Sequence, residues 1–318
     1  MKPRLVFVHG IGREQDAQVQ LQEWLTALAQ GAERAGHRSR VDQVLKAAAD
    51  VRFAYYGDLF SPPAGNSSHP GEPSPSQRTT LAALVLDAVD ERLPQADDLD
   101  EARLLQQTRK QLIPEGEPQG IGDVGRRVGN AVTTLLGLPG VRFIGKRLTT
   151  ALMVGTLDQV RRYLERGETD ITGATIDQRI RARVLQELHP TEPTIVIAHS
   201  LGTVVAFEAL HEHAGPVPLF VTMGSPIGLR GAVRPQIHPQ PLHTPHGVGA
   251  WLNFWDRDDL VAGYPHLEKI VAANESTVKP ASTRVDSDGL SVHGAALYLA
   301  QPAVAGPVIE ALEAVVLR

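Results

Sequence analysis

The chain has 318 residues, of which 42% are hydrophobic, enough to bury a sizeable core in one large α/β domain or in a domain with an insertion. Its net charge of −5 and its pI near 6.2 argue against nucleic-acid binding, and the sequence has no long basic tract. Cysteine is absent, which excludes disulfides, thiolate metal sites and a cysteine nucleophile.

The start of the chain predicts a cytoplasmic protein. Its apolar run at residues 5–8 is too short for the core of a signal peptide, and we expect it to form the first strand of a central sheet. The strand leads into H-G-I-G at residues 9–12. A dinucleotide-binding G-x-G-x-x-G motif is excluded there because Gln15 occupies a position that needs glycine. We expect His9 to support this turn by a hydrogen bond.

A helix, a strand and a loop are predicted next. Apolar residues recur at helical spacing from Leu21 to Ala32, which predicts a helix with one face in the core. Residues 51–56 predict a second strand. Residues 61–78 are rich in proline, serine and glycine and predict a flexible loop.

Residues 79–188 have helical apolar spacing and contain no convincing strand. We therefore predict a largely helical insertion over residues 61–189 that covers the carboxyl edge of the sheet as a cap or lid. Within it, residues 120–155 combine glycines, apolar runs and basic side chains. A flexible lid packed on its own domain is the favoured interpretation, and transient contact with a membrane surface is left open. Charges interrupt these runs too often for a transmembrane span, which needs about 20 mostly apolar residues.

Two unlike patterns meet near residue 200. Residues 195–198 form an unbroken apolar run, as in a parallel strand covered on both faces. After Gly202 the apolar spacing is helical, and we expect Glu208 and Glu212 to face outward.

The connection between them, Ala198-His199-Ser200-Leu201-Gly202, is a variant of the G-x-S-x-G nucleophile elbow. Small residues two positions before and after the serine let strand and helix approach, and the strained turn exposes the hydroxyl. The helix that follows directs its free amides and positive dipole end at the site, which favours an oxyanion there. Ser200 is therefore a candidate nucleophile, and an ordinary strand-to-helix turn is the alternative.

Two further strands are predicted at residues 218–223 and 251–255, and the second is the last clear strand. It leads into the acidic turn 256–259, D-R-D-D, at the same edge as Ser200, where catalytic groups of open α/β sheets collect. His293 precedes a short helical stretch and a closing helix.

Other histidines do not predict a metal site. His238, His243 and His246 share a loop, but they lack a fixed ligand spacing and an accompanying carboxylate. His211 and His213 are two residues apart on a helix and face different directions. We expect neither a metal nor a cofactor.

Taken together, the motifs resemble those of lipase- and esterase-like serine hydrolases of the α/β-hydrolase fold. The resemblance depends on H-G-I-G at 9–12, A-H-S-L-G at 198–202, M-G-S-P at 223–226, W-L-N-F-W-D-R-D-D-L-V-A at 251–262 and His293. It implies an α/β fold with a mostly parallel central sheet flanked by helices. It covers residues 1–60 and 190–318 as the core and leaves the insertion unmatched.

The family order of nucleophile, acid and histidine implies His293 as the general base. His266 also follows the acidic turn, but it is too close to it in sequence to return from another direction. A surface-turn histidine is the alternative for His293.

The resemblance implies Asp259 as the acid, because it precedes Leu260-Val261 where the family has an aspartate before a Pro-Val or similar dipeptide. The proline is missing here, so Asp256 and Asp258 stay open as alternatives. A solvated acidic turn or a Ca²⁺-binding loop is the structural alternative. The main-chain amides of Ile11 and Leu201 are the implied oxyanion hole.

The predicted function is the hydrolysis of a small-molecule or lipid acyl ester through an acyl-enzyme. An acyltransferase or a thioesterase would use the same residues, and a non-catalytic scaffold that binds a lipid or a protein partner is the alternative from another class. The sequence does not indicate an oligomeric state.

Overall fold

A computed structural model describes residues 3–10, 17–46, 49–60, 75–96, 98–113, 130–131, 134, 150–287 and 293–317. Three of the predicted features lie wholly or mostly outside these residues: the amide of Ile11, the loop at 61–78, and the glycine-rich segment at 120–155.

Six parallel strands form one sheet in the order β2-β1-β3-β4-β5-β6. Their bounds are β1 Arg4–Val8, β2 Asp50–Ala54, β3 Thr194–His199, β4 Phe220–Met223, β5 Trp251–Asp256 and β6 Pro280–Val285. The five predicted strands are confirmed. Residues 251–255 were predicted as the last clear strand, but a further strand, β6, follows and pairs with β5 along its whole length.

Helices connect and cover the strands. Their bounds are α1 Ala17–Arg34, α2 Pro75–Arg92, α3 Leu99–Leu112, α4 Thr150–Glu165, α5 Ile176–Glu187, α6 Leu201–Glu212, α7 Ala295–Leu299 and α8 Pro302–Val316. Shorter helical segments are Arg38–Arg40, the π-helical turn Val41–Lys46, and the 3-10 turns Gly57–Phe60, Leu93–Gln95, Pro226–Gly228, Arg234–Gln236, Leu260–Ala262 and Leu267–Lys269.

The strands supply side chains to two hydrophobic clusters, one on each face of the sheet. On β1, Val6 and Val8 belong to one cluster, whereas Leu5 and Phe7 belong to the other, as the alternation of side chains along a strand requires. Buried residues of α4, α5 and α6 fill the first cluster, and those of α1, α7 and α8 fill the second. The predicted α/β architecture, a parallel sheet flanked by helices, is confirmed.

The helices inside the predicted insertion occupy two different places. Ile180 and Val184 of α5 belong to the same buried cluster as Val6, so this helix packs on the sheet. By contrast, α2 contacts the loop that follows β4, where the Asp87 carboxylate accepts the amide hydrogens of Gly231 and Ala232 at 2.6 and 2.8 Å. Helix α2 therefore lies at the carboxyl edge of the sheet.

A group of four charged residues, which we call the Glu101 clamp, joins α2 and α3 to the loop after β5. Arg92 donates to Glu101 at 2.7 Å and to Asp258 at 2.8 Å, and Arg257 donates to Glu101 at 3.3 Å. Glu101 is buried. Because breaking a buried ion pair is costly, the clamp fixes this end of the insertion to the loop that carries the candidate acid.

Glu208 does not face outward as expected; it is 3% exposed. Its carboxylate accepts hydrogen bonds from Tyr163 and Arg166, both at 2.6 Å, and from Arg181 at 3.3 Å. The expectation fails because α5 and the residue that follows α4 bring two arginines to this face of α6. Glu212 is exposed, as expected.

In the part of the chain that the structure describes, every helix is too short or too polar to cross a membrane.

Candidate active site

Ser200 lies in a tight turn between β3 and α6. Its backbone has φ 55° and ψ −133°, in the left-handed half of conformational space that non-glycine residues rarely adopt. The turn is held by the Ser200 amide, which donates to the Met223 carbonyl at 3.0 Å, and by the Thr203 hydroxyl, which donates to the Ser200 carbonyl at 2.7 Å. This is the strained geometry that the elbow motif predicts.

Two glycines allow the end of β1 to contact this turn. A Cβ on Gly202 would lie 2.2 Å from the His9 carbonyl oxygen, and one on Gly10 would lie 2.6 Å from the Cβ of Ser200. Any side chain at these positions would therefore push β1 and α6 apart, which explains glycine at both.

His293 connects Ser200 to Asp259 through its two ring nitrogens. The Ser200 hydroxyl donates to His293 Nε2 at 2.9 Å, and the His293 Nδ1–H donates to Asp259 Oδ2 at 2.8 Å. The three residues are 93 and 34 positions apart in sequence, and the structure brings them together at the carboxyl edge of the sheet. Ser200 itself is 1% exposed.

The three aspartates of the acidic turn have different partners. Asp259 contacts His293, whereas the Asp256 carboxylate accepts the amide hydrogens of Asp258 at 2.8 Å and Ser287 at 2.5 Å. The side chain of Asp258 is 42% exposed and forms the ion pair with Arg92. Of these candidates, Asp259 is the one placed to orient the His293 ring.

The surroundings of Asp259 favour its ionised form. Burial is the largest influence and raises its pKa, but the charge and hydrogen bond of His293 and a hydrogen bond from Tyr298 outweigh it, so that the pKa lies below its ordinary value. Burial raises the pKa of Asp256, and its two backbone hydrogen bonds oppose this only in part.

Two residues at the site were given no role by the sequence analysis. The Tyr298 hydroxyl, on α7, donates to Asp259 Oδ2 at 2.8 Å. Gly224, directly after β4, has φ +54°, and a Cβ there would lie 2.7 Å from Asp259 Oδ2 and 3.1 Å from His293 Nδ1. The M-G-S-P motif marked Gly224, but no sequence signal separates Tyr298 from an ordinary core aromatic.

Two buried histidines support the site. His9 accepts the Tyr56 amide hydrogen on Nε2 at 3.0 Å, which is the supporting hydrogen bond expected of it. His199 Nε2–H donates to the His293 carbonyl at 2.6 Å, with the two rings 4.7 Å apart. Burial lowers the pKa of His9 to about 3, and burial together with the nearby His293 lowers that of His199 to about 3, so both rings are neutral at pH 7.

Leu201 contributes a main-chain amide directly after Ser200, where an oxyanion would form if Ser200 attacked a carbonyl. Leu201 is the first residue of α6, and the first amides of a helix have no intrahelical partner. They also lie at the positive end of the helix dipole. The second predicted donor, Ile11, lies outside the described residues and stays a prediction.

The remaining candidate histidines contact other groups. His266 lies 3.2 Å from Glu268, and His211 Nε2 lies 3.1 Å from the His243 carbonyl. Among the described residues, no group of three or more histidine, aspartate or glutamate side chains has the arrangement of a metal site.

Comparisons of the chain with protein-family profiles, with curated proteins and with solved structures found no match. The site therefore has to be interpreted from its own geometry.

Proposed function

We propose that this protein is a serine hydrolase that cleaves carboxylic esters through an acyl-enzyme. The observation that carries the proposal is the hydrogen-bonded chain from Ser200 to His293 to Asp259, with heavy-atom distances of 2.9 and 2.8 Å. These distances lie within the range that a nucleophile and its base need. The strained turn at Ser200 and the start of α6 beside it support the same reading.

In the proposed first step, Ser200 Oγ attacks the ester carbonyl and its proton moves to His293 Nε2. The ring becomes a cation, and the ionised Asp259 stabilises it through Nδ1–H. The carbonyl oxygen becomes an oxyanion, which the amides of Leu201 and Ile11 would bind. His293 then donates its proton to the leaving alkoxide, and the acyl-enzyme remains.

In the second step, His293 removes a proton from water, and the resulting hydroxide attacks the acyl-enzyme. The collapsing intermediate takes the proton back on Ser200 Oγ and releases the acid. The low pKa of His9 and His199 keeps both rings neutral while His293 carries its charge, so that no second cation forms next to it.

We further propose that the fold is an α/β-hydrolase fold and that the part of the insertion with α2 and α3 is a cap. The parallel sheet, the site at its carboxyl edge and the contacts of α2 with the loop after β4 support this assignment. The burial of Ser200 agrees with a cover that has to yield before an acyl ester can reach the hydroxyl.

A fluorophosphonate probe tests the function, because it forms a covalent bond with an activated serine. We expect the protein to be labelled at Ser200, and we expect Ser200→Ala and His293→Ala to abolish the label. His266→Ala is the matched control, since His266 was the competing base and contacts Glu268 instead. An unlabelled wild-type protein, or labelling that survives His293→Ala, would contradict the proposal.

A series of acyl esters of increasing chain length tests the substrate class, with Ser200→Ala as the blank. Preference for long chains is expected if the insertion supplies an apolar cover. Activity confined to short, soluble esters would contradict the cap but would leave the hydrolase assignment standing.

A further inference from the structure

Tyr298 is fully buried on α7, and its hydroxyl makes two hydrogen bonds at the candidate site. It donates to Asp259 Oδ2 at 2.8 Å, and it accepts the amide hydrogen of Asp256 at 3.0 Å. These bonds connect the end of β5, the acidic turn and the helix that follows His293.

The direction of the hydroxyl hydrogen is fixed by these partners. The Asp256 amide can only donate, so a lone pair of the Tyr298 oxygen receives it and the O–H is left for Asp259. Asp259 Oδ2 consequently accepts two hydrogen bonds, one from Tyr298 and one from His293, whereas Oδ1 accepts the Val261 amide hydrogen at 3.0 Å.

We propose that Tyr298 is a positioning residue that holds Asp259 Oδ2 in line with His293 and withdraws negative charge from that oxygen. This inference rests on the proposed function, in which Asp259 stabilises the His293 cation. Hydrogen bonds to a charged group are worth more than neutral ones, so a second donor on the same oxygen competes with the first for its charge.

Among the described residues, the other ionisable groups around Asp259 come from several elements. Neutral His199 lies beside His293, the Asp256 carboxylate lies at the end of β5, and Arg92 and Arg257 border the small cleft behind Asp259. Both arginines are engaged with Glu101 of the clamp. Tyr298 retains its proton throughout, because burial and the adjacent Asp259 raise the pKa of its hydroxyl well above the ordinary value.

The sign of the effect follows from the charge on Oδ2. If the tyrosine hydroxyl is removed, Oδ2 carries more negative charge and stabilises a charged His293 ring more strongly. The His293 ring should then titrate at a higher pH, and the acid side of the kcat/KM profile should move with it.

The test is Tyr298→Phe, which removes the hydroxyl and keeps the ring. The pH at which His293 titrates is followed by NMR of the histidine ring signals, with His293→Ala to assign the resonance. We expect an upward shift of about 0.5 pH unit and a fall in kcat of roughly 3- to 10-fold with little change in KM.

Tyr163→Phe is the matched control. Tyr163 is also fully buried, and its hydroxyl donates to the buried carboxylate of Glu208 at 2.6 Å. The control removes the same kind of bond at a different place, so it should lower stability and leave the His293 titration unchanged.

A His293 titration that is the same in wild type and Tyr298→Phe would overturn the inference, whether or not stability falls. This outcome is distinct from failure of the proposed function, which appears as an unlabelled wild-type protein. If Tyr298→Phe does not fold, incorporation of 3-fluorotyrosine tests the same idea, because its more acidic hydroxyl is a stronger donor. It should shift the His293 titration downward in wild type and in Tyr163→Phe, and no shift in either would overturn the inference.

Discussion

Two buried carboxylates in this molecule each accept a hydrogen bond from a buried tyrosine, but they face different cationic side chains. Asp259, at the candidate site, accepts a hydrogen bond from Tyr298, and Glu208, on α6, accepts one from Tyr163. Both tyrosines are fully buried. The difference lies in the cation that each carboxylate faces.

Glu208 contacts Arg166 and Arg181, which are charged at every accessible pH, so its negative charge is neutralised permanently. Asp259 faces His293, which gains its charge only when it takes up a proton. The first arrangement stabilises a helix-packing face. In the proposed mechanism, the second stabilises a cation that forms on His293 during the reaction. The following substitutions test that distinction.

The largest effect should come from Asp259→Asn. The amide keeps the size of the side chain but cannot stabilise a His293 cation, so we expect kcat to fall by about 10⁴-fold. Steady-state ester hydrolysis measures this. Asp258→Asn is the control, because Asp258 lies one residue away and pairs with Arg92. Equal losses in both variants would refute the assignment of Asp259.

The next effect is on stability and is expected at Glu208. Glu208→Gln leaves Arg166 and Arg181 to share the buried carboxylate of Asp177, so one positive charge loses its buried counter-charge. This should lower the free energy of unfolding by about 3 kcal/mol. Urea unfolding measures the loss, while activity per folded molecule should not change. Glu212→Gln, at an exposed partner of Arg181 on the same helix, should cost no more than about 1 kcal/mol. A loss of turnover in folded Glu208→Gln would contradict the assignment of a structural role to Glu208 and of a role in the candidate site to Asp259.

Gly224→Ala should disturb the Asp259–His293 pair directly. The added Cβ would lie 2.7 Å from Asp259 Oδ2, so the acid has to move, and we expect kcat to fall by roughly 100-fold. Gly36→Ala separates this from backbone strain, since Gly36 has φ +87° and nothing within 4 Å of the added atom. If the two variants lose stability equally and keep full turnover, the contact at Gly224 has no part in the site.

The smallest effect concerns the dependence of stability on pH. His9 and His199 have pKa values lowered to about 3 in the folded protein, so between pH 3 and 6.5 they bind protons only on unfolding. The free energy of unfolding should therefore rise with pH across this window. Each of the two histidines should make it about 2 kcal/mol lower at pH 5 than at pH 7.

His9→Gln tests the contribution of His9 to this pH dependence. The substitution is suitable because the glutamine oxygen can still accept the Tyr56 amide hydrogen. The difference in the free energy of unfolding between pH 5 and pH 7, measured with urea, should be about 2 kcal/mol smaller in His9→Gln than in wild type. His246→Gln, at an exposed histidine, should leave the difference unchanged. An unchanged difference in His9→Gln would mean that His9 is not held neutral.

The strands were largely predictable because apolar runs mark strands buried on both faces, as in β1 and β3. Strand β6 was missed because Ser282, Thr283 and Arg284 interrupt its apolar pattern. Strand β2, at the other edge of the sheet, was predicted because it keeps Val51, Phe53 and Ala54.

The site was predictable in type and less so in detail. The motif around Ser200 and the order of residues indicated His293, but Asp256, Asp258 and Asp259 all lie within one turn of four residues. Which carboxylate turns towards the ring depends on contacts with distant segments, such as Ser287 for Asp256 and Arg92 for Asp258. Sequence spacing carries no information about those contacts.

The Glu101 clamp has a consequence for protein engineering. Arg257 and Asp258 directly precede Asp259, and their charges are matched by Glu101 and Arg92 of the inserted helices. A chimaera that swaps α2 and α3 for a short linker would leave the acidic turn with mismatched charges. Transplanting the insertion between scaffolds would therefore require moving the four clamp residues as a unit.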